Sequence, residues 1–173
     1  MSPNHRTWIN FGAMQAGWFA CVLGAAHGAA WVGPPVALGV VLLHLAMSQH
    51  RSAELALSFI ALGVGVSWET AAQATGWIRY NADGAFAPWW IFTMWPMFAT
   101  TLNVSLRFLH GRWLAAALLG AVGAPLSYLA GARLGALALP DRNAAVALHA
   151  AGWALLMPLL IFLAARVSRE AQR

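Results

Sequence analysis

Glu69 is the residue whose surroundings ask most plainly for chemistry. It stands in Trp68-Glu69-Thr70, well inside a long apolar run. A carboxylate at that depth in hydrocarbon costs roughly 3 kcal/mol or more, and by default it marks a functional site or a paired charge. A protonatable group placed there suits a proton carrier or a general acid, which makes Glu69 the candidate catalytic residue. The structural alternatives are a hydrogen-bonded carboxyl or a pair with Arg133. Arg133 has an alternative of its own, which is to reach out to phosphate headgroups.

A second pattern follows in the next apolar run. Thr93, Pro96, Thr100, Asn103 and Arg107 recur at offsets 0, 3, 7, 10 and 14. At 100° per residue these positions share one narrow helical face. In lipid such a stripe has to face protein or a wet cavity. It serves either as interhelical hydrogen bonding, worth about 0.6 kcal/mol per contact on average, or as a lining for substrate or headgroup. Glu54, Ser58, Gly65, Glu69 and Gln73 form a matching face on the preceding run. If the two helices are antiparallel neighbours, Glu54 pairs with Arg107 and Glu69 lies near the level of Thr93. The expected cavity lies between them, with Thr93, Thr100, Asn103, Arg107, Gln73 and Arg133 as candidate substrate- or lipid-binding residues.

Other reactive residue types carry less. His27 and His149 fall toward one side of the apolar runs, and His44 and His110 toward the other. Two such layers suit a pair of haems only if the histidines meet as axial ligands. A lone histidine on an apolar helix ordinarily packs or hydrogen-bonds. The sequence has no Cys-x-x-Cys-His and no closely spaced histidine cluster, so no cofactor or metal is expected. Cys21 is the single cysteine and reads as a small packing residue.

These residues need elements to hold them, and composition says what kind. Only 9% of the 173 residues are Asp, Glu, Lys or Arg, against 61% hydrophobic. A soluble domain carries roughly 25% charged residues. The stretches 84–106, 113–132 and 143–165 contain no charge at all. Each is near the length, about 20 residues, that crosses a bilayer as a helix. The sequence therefore predicts an all-α, polytopic membrane bundle in a single domain covering 1–173. Its six spans fall near 8–28, 34–49, 53–75, 86–108, 113–138 and 143–166. Turn formers combined with polar residues mark the breaks: Gly33-Pro34-Pro35, Gln49-His50-Arg51, Asn81-Ala82-Asp83-Gly84, His110-Gly111-Arg112 and Pro140-Asp141-Arg142.

All ten basic residues are arginines dispersed at the ends of apolar runs, a distribution that excludes a nucleic-acid face. With six spans, Arg6, Arg51, Arg107, Arg112, Arg166, Arg169 and Arg173 share one side, against Arg79, Arg133 and Arg142 on the other. The positive-inside rule then puts both termini in the cytoplasm of a bacterial inner membrane. Trp8, Trp31, Trp77, Trp89, Trp90 and Trp113 lie near span ends, where indole rings settle at the headgroup level. Small residues line one face of span one (Gly17, Cys21, Gly24, Gly28) and one of span five (Gly120, Gly123, Ser127, Gly131). Both read as close-packing surfaces, and self-association into a homo-oligomer is compatible with them.

Three segments carry a resemblance: 15–21 (Gln-Ala-Gly-Trp-Phe-Ala-Cys), 98–106 (Phe-Ala-Thr-Thr-Leu-Asn-Val-Ser-Leu) and 119–131 (Leu-Gly-Ala-Val-Gly-Ala-Pro-Leu-Ser-Tyr-Leu-Ala-Gly). Through them the chain resembles, over nearly its whole length, a family of small bacterial inner-membrane proteins known only as a domain of unknown function, DUF 2878. Gly123-Ala124-Pro125 departs from the Gly-Gly-Pro expected there. The resemblance supplies no catalytic residues. It implies a role in handling membrane fatty acids beside enzymes similar to cyclopropane-fatty-acid synthases and flavin-dependent amine oxidases.

The expected function is thus binding, or helping to modify, membrane fatty acids or phospholipids, with membrane lipids and lipid-modifying enzymes as partners. Two alternatives stand beside it. One is a small proton-linked transporter or lipid flippase that uses Glu69, and the other is a non-catalytic scaffold for neighbouring enzymes. The topology makes the first prediction. Reporter fusions at Asp83 and Asp141 should both read periplasmic and one at Arg173 cytoplasmic; the opposite pattern inverts the assignment.

Overall fold

The computed structural model describes residues 3–81 and 86–171. Six α-helices run in sequence: α1 (Pro3–Ala26), α2 (Gly33–Met47), α3 (Arg51–Ala74), α4 (Trp89–Leu102), α5 (Trp113–Leu134) and α6 (Arg142–Glu170). Two short strands, β1 (Arg79–Tyr80) and β2 (Leu137–Ala138), pair antiparallel, with Arg79 opposite Ala138 and Tyr80 opposite Leu137. The expected helical bundle is present. Part of the expected break at 81–84 lies outside the described residues.

Local chemistry explains the helix ends. Pro34 and Pro35 occupy the first turn of α2, where a missing N–H costs nothing. Asp141 caps α6 by accepting from the Ala144 amide at 2.9 Å. Gly135 ends α5 in the left-handed region, with φ of 92°. The Ala136 amide then bonds the Gly131 carbonyl at 3.0 Å, a reversal that needs a residue without a Cβ. It also shortens the run predicted over 113–138. The chain leaves the helix at Leu134 and returns as β2.

The largest departure from the sequence expectation is span four. A helix over 86–108 was expected, but α4 covers only Trp89–Leu102. Residues 103–106 turn, and Arg107–Leu109 form one 3-10 turn. At 1.5 Å per residue, α4 is about 21 Å long, well short of a hydrocarbon core of about 30 Å. Four helices, beginning at His5, Arg51, Trp113 and Arg142, are long and apolar enough to cross a membrane; α2, with 15 residues, is apolar but shorter.

The short helix is the central one. α4 touches α1, α2, α3 and α6, and 8 of its 14 residues are buried. Close approach is obtained with glycine. A Cβ on Gly65 of α3 would fall 2.2 Å from the Trp95 ring, and one on Gly152 of α6 would fall 1.8 Å from the Trp68 ring. Trp95 stacks on Trp153 with centroids 5.1 Å apart. The outward faces remain apolar, with Leu114, Leu126, Leu155, Phe59 and Phe86 all exposed, as a bundle bathed in hydrocarbon requires. Trp8, Trp31, Trp77, Trp89 and Trp113 are exposed near helix ends as expected. Trp90 is not; it is buried, edge-on to Tyr80.

This packing makes its own prediction. Gly65→Ala forces a methyl into the Trp95 ring and should cost about 1–3 kcal/mol. Gly63→Ala points into open space and should be neutral or stabilise by up to about 1 kcal/mol. Thermal unfolding in detergent compares the two, and equal midpoints would contradict the α3–α4 contact.

Candidate functional site

Glu69 lies on α3 one turn beyond Gly65 and is buried, 1% exposed. Its carboxylate meets three donors from three other segments. The Trp95 indole of α4 donates to Oε1 at 2.9 Å. The Tyr128 hydroxyl of α5 donates to the same oxygen at 2.5 Å. The Tyr80 hydroxyl of β1 donates to Oε2. These are the only two tyrosines in the chain. The His149 ring of α6 lies against Tyr128, centroids 3.6 Å apart, and is itself fully buried. Its Nδ1 faces the Ala145 carbonyl at 3.2 Å, and its Nε2 has no partner among the described residues.

The reason these groups converge is local. The β1–β2 ladder pulls the α3–α4 connection down onto the end of α5 and seats Tyr80 beneath it. Asn81 fastens the same joint, its side-chain amide donating to the Gly135 carbonyl. Gly65 lets the Trp95 ring lie flat against α3 and reach Glu69 one turn along.

Beside this cluster opens a cavity of about 540 Å³ between α1, α4 and α5, closed at its back by Trp153 and Met157 of α6. That volume lies in the range, roughly 300–1,000 Å³, typical of small-molecule sites. Its walls are mostly apolar: Met14, Trp18, Ile91, Met94, Phe98 and Leu126. Tyr128 lines it, so the hydroxyl that grips Glu69 belongs to a residue of the cavity wall. Trp18 of α1 donates to Ser127 Oγ of α5 at 3.1 Å and joins the two walls.

The sequence-predicted residues divide between two places. Glu69 is at the cluster, with Gln73 half-buried one turn beyond it on α3. Thr93, Thr100 and Asn103 do not line the large cavity. The cavity expected between Glu69 and the polar stripe therefore does not form. Trp95 sits about 200° around α4 from Thr93, so the face that meets Glu69 and the cavity is the one opposite the stripe. Thr93 donates to the Trp90 carbonyl of its own helix at 2.9 Å. Thr100 donates to the Met97 carbonyl at 2.7 Å and accepts from Asn10 of α1 at 3.3 Å.

Both expected ion pairs are corrected. Glu54 does not pair with Arg107. Since α4 stops at Leu102, Arg107 leaves the stripe and is exposed. Glu54 instead lies 3.1 Å from His44 Nε2 and accepts from Asn103 Nδ2 at 3.1 Å. Arg133 is exposed near the end of α5 and forms no ion pair with Glu69; the hydrogen-bonded alternative is the one realised. The four histidines do not meet in layers. His27 faces the Leu23 carbonyl, His44 faces Glu54, and His110 faces the Leu102 carbonyl. No group of three or more His, Cys, Asp or Glu able to hold a metal occurs among the described residues.

The small-residue face of α5 also divides. Gly120 packs against the Trp153 backbone as expected, but a Cβ on Gly123 would meet nothing within 4 Å. Gly123, Ser127 and Gly131 are cavity wall. Sequence reasoning missed Tyr80, Tyr128 and Trp95 as partners of Glu69. The usable signal was the rarity of tyrosine, two in the whole chain.

Removing the carboxylate should expose how much rests on it. Glu69→Ala leaves three buried donors unpaired, each worth about 1–3 kcal/mol, and should lower stability by about 3 kcal/mol or more. Glu69→Gln keeps an acceptor oxygen and should remain within about 1 kcal/mol, because both tyrosine hydroxyls are able to turn and accept. Arg133→Gln should change nothing. Thermal unfolding in detergent measures all three, and a destabilised Arg133→Gln would restore the ion pair.

No curated protein matches the chain, and no solved structure matches it. The family described as Protein of unknown function (DUF2878) matches residues 7–159. With most of its length covered, the chain belongs to that family.

Proposed function

We propose that this protein is a six-span bacterial inner-membrane protein, both termini cytoplasmic, that takes an acyl lipid from the bilayer into the cavity between α1 and α5. The observation that carries this reading is the cavity itself. It is about 540 Å³, apolar along its walls, and bordered by the exposed leucines Leu119 and Leu126 on a helix apolar enough to face hydrocarbon. A ligand arriving through that side comes from the membrane, so its body is a hydrocarbon chain. Polar groups then fix orientation in such a site, and Tyr128, backed by Glu69, is one that the wall provides.

The roles divide accordingly. Trp18, Met94, Phe98 and Met157 bind the chain, Tyr128 positions its polar end or reacting carbon, and Glu69 holds Tyr128 in place from behind. In this reading the Thr93, Thr100 and Asn103 stripe does not touch lipid, and Arg107 and Arg133 serve the two membrane surfaces. Lipid-modifying enzymes are the partners that would supply or receive such a ligand.

Gly123 offers a clean test, since its Cβ direction is open space on the cavity wall. Gly123→Trp should fill the cavity and leave the fold intact. Photoreactive stearate in nanodiscs should label the parent and label the variant about tenfold less, with thermal unfolding shifted by only a few degrees. Equal labelling would overturn the cavity as the site. In a deletion strain, lipid mass spectrometry should show a changed acyl composition; unchanged lipids with altered solute efflux would favour transport instead.

A further inference from the structure

Gln15 has no role in the packing or in the site described so far. It lies at the thirteenth position of the 24-residue α1, about 17 Å from either end at 1.5 Å per residue. It is exposed, it lines the cavity, and no hydrogen bond to its side chain occurs among the described residues. An unpaired amide at mid-depth of a hydrocarbon core is costly. Elsewhere α1 satisfies such groups: Asn10 is bonded to Thr100 and to Ser105, and Trp18 to Ser127.

Trp18, one turn along α1 from Gln15, is bonded to Ser127 of α5, which lines the same cavity. Its Oγ accepts from Trp18, and its own hydroxyl proton has no acceptor among the described residues. The wall therefore presents an amide N–H, an amide carbonyl and a hydroxyl donor about one helical turn apart along α1, in mostly apolar surroundings. The headgroup or carboxyl end of a lipid sits at the rim of the hydrocarbon core, about 15 Å from its centre. At the level of Gln15 an ordinary acyl chain shows only methylenes, which leave these groups unpaired.

Resting on the acyl-lipid reading above, we infer that the ligand carries an oxygen along its chain, a hydroxyl or keto group roughly midway, held between Gln15 and Ser127. A mid-chain oxygen accepts from the Ser127 hydroxyl or the Gln15 amide N–H. If it is a hydroxyl, it also donates to the Gln15 carbonyl. The shared chemistry is a long chain oxygenated near its middle, either as the free acid or esterified in a phospholipid.

Competition against photoreactive stearate, with the full chain in nanodiscs of saturated phospholipid, tests this. Four competitors are compared: stearic acid, 12-hydroxystearic acid, and a phosphatidylcholine carrying either chain. In the parent, the hydroxylated member of at least one pair should displace the label at about tenfold lower concentration, the size of one or two such bonds in lipid. Which pair shows it identifies the source as free acid or phospholipid. In Gln15→Leu the preference should vanish while stearic acid competes as before and the thermal midpoint holds. Ser127→Ala should reduce the preference in part. Equal competition within both pairs in the parent would overturn the inference and leave the cavity reading standing. Failure of all four to compete would overturn both. A preference that survives Gln15→Leu, with the chain passing from dimer to monomer, would assign Gln15 to a partner helix instead.

Discussion

A carboxylate in a hydrocarbon interior has to find its hydrogen-bond donors within the protein, and most of this architecture answers that demand. Glu69 has no cation beside it among the described residues, and its oxygens are met by Tyr80, Tyr128 and Trp95. Each donor fixes one further element. Tyr80 reaches the carboxylate only because β1 is held by β2. β2 exists only because Gly135 ends α5 early and turns the chain back. Trp95 reaches only because Gly65 leaves room for its ring. Helices that share no hydrophobic driving force in lipid are thereby tied at one point, near the end of the bundle away from the termini.

A second polar group works at the other end, on different terms. Glu54, His44 and Asn103 meet there, with Asn10, Thr100 and Ser105 beside them. Here α4 has stopped, and residues 103–106 run in turns. Non-helical backbone at membrane depth is tolerated only where protein shelters it. Thr100 and Asn103 are therefore best understood as part of a seal around a helix break, while Thr93 bonds within its own helix. Asn10 takes the Thr100 carbonyl at 3.1 Å, one of the carbonyls freed near the end of α4. The groups here bond in two sets, His44–Glu54–Asn103 and Asn10–Thr100–Ser105, with a small hollow beside them.

This division explains what was legible beforehand. The bundle, its breaks and the isolation of Glu69 follow from hydropathy and the spacing of turn formers, which are local properties. The adjacency of α3 and α4 was expected from two polar faces, of which only Glu54 and Asn103 actually meet among the described residues. The partners of Glu69 were not, since Tyr80 and Tyr128 lie 11 and 59 residues away and nothing periodic links them to it. The stripe misled for a physical reason. Its period assumed a helix continuing to Arg107, whereas α4 ends at Leu102 and hands the last two polar positions to turns. Trp90 misled similarly, because proximity to a helix end does not distinguish an interfacial ring from one turned inward onto Tyr80.

The glycines of α5 separate a cavity from a packing defect. Glycine inside a helix is about 1 kcal/mol less favourable than alanine, so a helix retains it where a side chain would collide. Gly120 meets that condition, since a Cβ there would strike the Trp153 carbonyl at 2.2 Å. Gly123 does not, with nothing within 4 Å of the position a Cβ would take. Gly12, Gly39 and Gly63 share that open surrounding; what sets Gly123 apart is its place on the wall of the large hollow, across from Trp18 and beside the Ser127–Tyr128 pair that bonds α1 and Glu69. A side chain at Gly123 would project into that hollow, whereas one at Gly120 would strike protein. Gly120 is thus a packing glycine and Gly123 a wall glycine, and the small-residue face of α5 serves both contact and cavity.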